Sequence, residues 1–204
     1  MSLKDGYILS ISSLLLAFFT TVTEAQSLKS DGISIGGGFQ ALSWSFDEGD
    51  YITETGYGFS LNVGYNVRPS LGIFIGVDGS EVYNGPNDWY DVGHFDVGVE
   101  LRLIELASGY TGSDSRAKPY FRFSYTRLNM INTDPFGAAE VKASGLGVGV
   151  GTYLFVSDNL TIDIGYIGGM LGVNEFKRDD SLISSDDMAR SGRLKLGVTF
   201  HISD

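Results

Sequence analysis

The chain has 204 residues, with 28 glycines, 13 phenylalanines, 11 tyrosines, four prolines and no cysteine. That length allows one domain or two small ones, and the missing cysteine excludes disulfide frameworks, thiolate nucleophiles, CxxC zinc sites and a lipid-modified cysteine at a processed N-terminus. Two histidines disfavour a histidine-rich metal site, and a net charge of −11 disfavours a nucleic-acid partner, because each backbone phosphate needs a lysine or arginine.

Residues 1 to 25 carry Lys4, an apolar run from Tyr7 to Phe19, and then the small-residue stretch Thr23-Glu24-Ala25. This is the order of a cleaved export signal, which leaves residues 26 to 204 as the working domain. The run is too short for a membrane-spanning helix of ~20 residues, and nothing downstream is longer.

From Ser27 onward the pattern is alternation, the signature of two-faced strands. Residues 57 to 67 set Tyr57, Phe59, Leu61, Val63, Tyr65 and Val67 against Gly58, Ser60, Asn62, Gly64 and Asn66. The alternation predicts eight strands, at about 32 to 43, 54 to 67, 70 to 79, 92 to 106, 118 to 129, 140 to 156, 159 to 174 and 190 to 202. Short and long connections take turns along the chain. An up-and-down meander would therefore gather the four long polar ones, near 44 to 53, 80 to 91, 130 to 139 and 175 to 189, at one end.

Period two fits both a soluble barrel and a membrane barrel turned inside out, so the identity of the second face has to decide. That face is mostly glycine, serine, threonine and asparagine, as at Gly72, Gly76, Gly145, Gly147, Gly149 and Gly151. Water does not require glycine, whereas the inside of a narrow barrel does. To the same face we assign a nearly balanced charge set: Asp78, Asp96, Glu100, Arg102, Arg122, Lys142, Asp163, Arg193 and Lys195. Balance is what a confined interior demands, since an unpaired buried ion is costly. The opposite face, from Ile73, Ile75 and Val77 to Leu160, Ile162 and Ile164, is apolar. In lipid a closed barrel is the one sheet that pairs every backbone group. Aromatics at both strand ends, Trp44, Tyr57, Tyr83, Trp89 and Tyr90 at one and Tyr65, Tyr120, Tyr153, Phe155 and Phe200 at the other, suggest two interfacial girdles.

The chain thus resembles small bacterial outer-membrane β-barrels of the OmpX, OmpA-barrel and opacity-protein type, over residues 27 to 202. The most specific piece is the last strand, Lys195-Leu196-Gly197-Val198-Thr199-Phe200-His201-Ile202, which is similar to that family's barrel-assembly signal, with Lys195, Gly197, Phe200 and Ile202 at its defining positions. Ala117-Lys118-Pro119-Tyr120-Phe121-Arg122 also resembles these barrels. The resemblance implies an all-β, eight-stranded antiparallel up-and-down transmembrane barrel following the signal peptide. It also implies termini and short turns in the periplasm, long loops outside the cell, recognition by the barrel-assembly machinery, and no peptidoglycan-binding domain after the barrel.

Catalytic constellations are scarce. His201-Ile202-Ser203 is superficially like the His-x-Ser of barrel lipid A deacylases, but it has no identifiable carboxylate partner. His94 shares a face with Asp96 and Glu100, which suits an interior pairing network better than a metal or proton relay. The DEGD stretch at 47 to 50 lacks EF-hand spacing, and acidic loops are ordinarily solvated. Arg127 stands alone on the lipid-facing parity of strand five, placed to snorkel toward lipopolysaccharide phosphates. The expectation is a monomeric, non-enzymatic outer-membrane barrel with no cofactor or metal. Its partners would be outer-membrane lipids and lipopolysaccharide, and its loops would be available for adhesion or ligand contact. The alternatives are a narrow channel for small or hydrophobic solutes, a lipid A-modifying enzyme, and a soluble lipocalin-like carrier.

Overall fold

A computed structural model describes residues 32–46, 54–83, 89–104, 115–132, 138–178, 181–183 and 187–202. The export signal at 1 to 25, the DEGD stretch and Ser203 lie outside the described residues.

The strands are β1 (Gly32–Phe46), β2 (Glu54–Arg68), β3 (Leu71–Tyr83), β4 (Trp89–Arg102), β5 (Ala117–Asn132), β6 (Ala139–Ser157), β7 (Leu160–Arg178), β8 (Ser181–Ile183) and β9 (Met188–Ile202). Each of β1 to β7 pairs antiparallel with the next, β7 pairs with β9, and β9 returns to β1 with Ile33 opposite Ile202. The result is a closed eight-stranded antiparallel barrel. The short β8 lengthens the β7 hairpin through Arg178 opposite Ser181.

Alternation sets the two faces. In β3, Phe74, Gly76, Asp78, Ser80 and Val82 point inward and are largely buried, while Ile73, Ile75 and Val77 are exposed on the outside. The exposed stripe runs through Phe39, Leu61, Val63, Val97, Phe123, Val148, Ile164, Leu196 and Val198, and so passes around the whole ring. In hydrocarbon this stripe costs nothing to expose, and the closed ladder leaves no edge to satisfy.

The strands exceed their sequence-based bounds mainly at the long-loop end, where β3 reaches Tyr83, β4 starts at Trp89, β5 reaches Asn132 and β7 reaches Arg178. The cause is an inversion of chemistry without a change of parity. Above Gly79 and Gly93, polar residues enter the outer face (Glu81, Asp91, Asn129) and inward positions become apolar (Val82, Val92, Leu128, Met130). That segment is a collar whose outer face mixes polar residues with Tyr83, Trp89 and Ile131 above the purely apolar belt, and its polar outer residues read as loop.

Candidate functional site: barrel interior and outer rim

The inward residues of β4 line the interior from end to end and order its contents. At the long-loop end Tyr90 and Val92 join an apolar cluster with Leu42, Trp44, Val82, Leu128, Met130, Val141, Ala143, Leu171 and Ala189. Inside it the Trp44 indole N–H donates to the Tyr90 hydroxyl. Sequence reading missed this cluster, although parity alone marks Val82, Val92 and Leu128 as inward.

One step down lies a charge layer centred on Arg193. Its Nη1 donates to Asp78 Oδ2 and Asp96 Oδ2, each at 2.7 Å, and its Nη2 donates to Asp96 Oδ1 at 3.0 Å. Lys195 Nζ lies 3.4 Å from Asp78 Oδ2, Thr126 Oγ1 donates to Asp96 Oδ1 at 2.6 Å, and Gln40 Nε2 donates to Asp78 Oδ1 at 2.9 Å. His94 contacts Asp78 through Nδ1 at 2.8 Å, whereas Glu100 belongs to the layer below.

That lower layer turns on Glu100. Arg102 Nε donates to Oε1 at 3.1 Å, Arg122 Nε to Oε2 at 2.9 Å and the Tyr153 hydroxyl to Oε2 at 2.8 Å, while Arg122 Nη2 donates to Tyr153 at 2.7 Å. Asp163 accepts from the Tyr120 hydroxyl at 2.7 Å. At the short-turn end Phe155 stacks on His201, whose Nε2 lies 3.2 Å from Thr161 Oγ1, and Lys118 Nζ sits 5.2 Å from the centre of the Phe155 ring. No carboxylate is within hydrogen-bond reach of His201 among the described residues.

Eight of the nine charged residues assigned inward from the sequence are brought together in these two layers; Lys142 is not. On β6 it shares the parity of Leu146 and Val148 and faces outward. Buried Lys118 stands inside instead, on the inward parity of β5 with Tyr120 and Arg122. Lys142 belongs to a rim lattice, 3.0 Å from Glu140 and 3.3 Å from Glu175, with Lys177 beside both acids. The irregularity in pairing between Lys142 and Ala143 leaves Asn174 unpaired and flips the rest of β7, turning Glu175 and Lys177 out and Phe176 in. Hydrogen bonds from Lys142 and Lys177 hold the carboxyls of Glu140 and Glu175 below their ordinary range, and the acids hold both ammonium groups above theirs.

The aromatic girdles also need correcting. Tyr57, Tyr83, Trp89, Tyr65 and Phe200 are exposed on the outside, but Trp44, Tyr90, Tyr120, Tyr153 and Phe155 are buried within the barrel. On β9, Lys195 and Gly197 face inward and Phe200 and Ile202 face outward. Arg127 is exposed on the outer face of β5, opposite Phe95 and Ser144.

A closed meander with an apolar belt and a charge-filled interior is joined by a direct match: the family model for the outer membrane protein beta-barrel domain covers residues 11–201. The chain belongs to this family. As an outer-membrane barrel it resides in the cell outer membrane. The fold is similar to that of Neisserial surface protein A, at 19% identity and a TM-score of 0.64 over 84% of this chain and 98% of that one. It is also similar to OprG of Pseudomonas aeruginosa, at 11% identity and 0.58 over 89% and 100%. A third likeness is to Ail, the attachment invasion locus protein of Yersinia pestis, in complex with the heparin analogue sucrose octasulfate, at 18% and 0.53 over 83% and 98%. No curated protein matches the chain.

Proposed function

We propose that this outer-membrane barrel is a sealed, non-enzymatic structural protein whose working surface is its exterior and loops, with the long loops outside the cell. The observation that carries this reading is the interior itself: two cross-linked charge layers capped by an apolar cluster, with buried Arg193 and Arg102 spanning the space a solute would need. Eight strands filled by side chains ordinarily leave no channel. The strongly acidic composition favours loops that meet neutral or cationic surfaces. The outward Phe200 and Ile202, with Lys195 and Gly197, are the residues we assign to recognition by the barrel-assembly machinery.

The test is planar-bilayer recording of the purified barrel together with lipid A mass spectra from cells with and without it. Silent bilayers and identical spectra support the reading. Steady unitary conductance would replace it with a channel, and a new lipid A species would replace it with an enzyme.

A further inference from the structure

Among the described residues the outer face carries two cross-strand glycine pairs, and their surroundings differ. Gly168 lies opposite Gly192, and the Tyr166 ring covers both. Gly79 lies opposite Gly93, and a Cβ added at Gly79 would meet nothing within 4 Å. The uncovered pair floors a groove of about 530 Å3 walled by Tyr57, Phe59, Glu81, Asp91, Asn129 and Ile131. A second depression of about 400 Å3 shares Gly93 and Asn129 with it and is walled by Phe95, Arg127 and Lys142.

The charges along this double groove are unusual. Glu81 and Asp91 face each other directly across β3 and β4 on the outer surface, and neither has a hydrogen bond or ion pair among the described residues. Directly opposed positions hold their Cβ atoms ~4.5–5.5 Å apart, and like charges there are destabilising. Arg127 has no ion pair or hydrogen bond among the described residues either, whereas Lys142 is already neutralised by Glu140 and Glu175. The groove therefore offers two free carboxylates and one free guanidinium.

Their depths differ in an informative order. Arg127 is level with Phe95 and Asp91 is level with Ile131, four residues nearer the loops, or about 13 Å along the strand. Arg127 lines the same depression as Asn129 and Lys142, both closer to the loops. Below Arg127 the face is wholly apolar through Tyr125, Val97 and Phe123. From the membrane outward, the sequence is apolar belt, cation, then anion pair.

We infer that this groove binds one lipid whose acyl chains lie on the belt, whose phosphate meets Arg127, and whose primary ammonium, farther out, sits between Glu81 and Asp91. A phosphoethanolamine headgroup has this order and these charges, and its ammonium removes the carboxylate repulsion. A metal ion is the poorer occupant, because no group of three or more histidine, aspartate or glutamate side chains suited to one occurs among the described residues. The inference needs the barrel to lie in a bilayer and is independent of whether the interior conducts.

The full-length barrel is equilibrated in phosphatidylcholine nanodiscs doped equally with phosphatidylethanolamine and phosphatidylglycerol, in EDTA. Lipids retained after detergent release are then counted by native mass spectrometry. The expected result is preferential retention of phosphatidylethanolamine, reduced about fivefold in E81Q/D91N, the size expected of an exposed charge contact. R127Q should lower both doped lipids, and G79L should displace them by filling the floor. Heat-shifted gel migration verifies that each variant is folded. Equal retention of the three lipids, full retention by E81Q/D91N, or retention of lipid phosphate only after magnesium is added would each overturn the inference.

Discussion

Arg193 on β9 and Asp96 on β4 form a two-pronged ion pair between strands that stand opposite each other in the ring, with Nη1 to Oδ2 at 2.7 Å and Nη2 to Oδ1 at 3.0 Å. The guanidinium also reaches Asp78 on β3, so one buried side chain ties three strands together across the interior. Such a bond cannot slip by one residue without stranding two carboxylates.

Replacing Arg193 by Leu should therefore cost about 3–5 kcal/mol, the usual loss when one partner of a buried pair is removed. Urea unfolding in lipid vesicles reads the change. The triple variant D78N/D96N/R193L should recover part of the loss, because neither acid is left as an uncompensated ion and only Lys195 loses its partner. Unchanged stability in R193L would mean that water already neutralises this layer.

Glycine at the seam between the first and last strands is a steric requirement. A Cβ on Gly38 would lie 2.3 Å from the Leu196 carbonyl oxygen and 2.4 Å from Gly197 Cα, both backbone atoms that cannot rotate away. Gly38→Ala should cost at least about 1–3 kcal/mol, as overpacking does, and weaken the heat-shifted gel band. Gly79→Ala, with open space above it, should migrate like the parent protein.

The two tryptophans should report opposite environments. Trp44 is enclosed in the barrel against Tyr90, and Trp89 is exposed on the outer face beside Tyr83. In a Trp89→Phe variant the remaining fluorescence should resist both acrylamide and brominated lipid. In Trp44→Phe it should be quenched by lipid brominated near the headgroup. Strong acrylamide quenching of Trp44 would show that the apolar cluster is open.

The rim lattice should give β6 and β7 a pH response. Glu140 and Glu175 are held below their ordinary value of 4.5, so their contribution is full above that value and is lost as pH falls through the lowered one. Lys142 and Lys177 are held above 10.5, so theirs is full below that value and fades only at higher pH. Amide exchange at the upper ends of β6 and β7, corrected for its intrinsic pH dependence, should therefore quicken below about pH 4.5 and stay flat through neutrality. Lys142→Met should flatten the acid response. An unchanged response would place the titrating groups elsewhere.

The barrel was legible from alternation because lipid and a narrow interior select opposite residue types, and Ile73, Ile75 and Val77 against Gly72, Gly76 and Asp78 show both choices at once. The upper collar was obscured because polar residues outside and a dry cluster inside reverse that selection, so Glu81 and Asp91 look like loop residues. Lys142 was misplaced because a lysine beside a glycine-faced run resembles an interior cation; the parity of Leu146 and Val148 already argued otherwise. His94 and Asp78 sit on different strands, and only the register of β3 against β4 makes them neighbours.

Ile33 faces Ile202, so β1 and β9 meet as closely as any hairpin pair, and both chain ends of the barrel lie on the short-turn side. Nothing in the hydrogen-bond ladder marks where the polypeptide starts. A brief linker from residue 202 to residue 32, with new termini cut between 133 and 137, would give a circularly permuted chain in which every strand keeps its present neighbours.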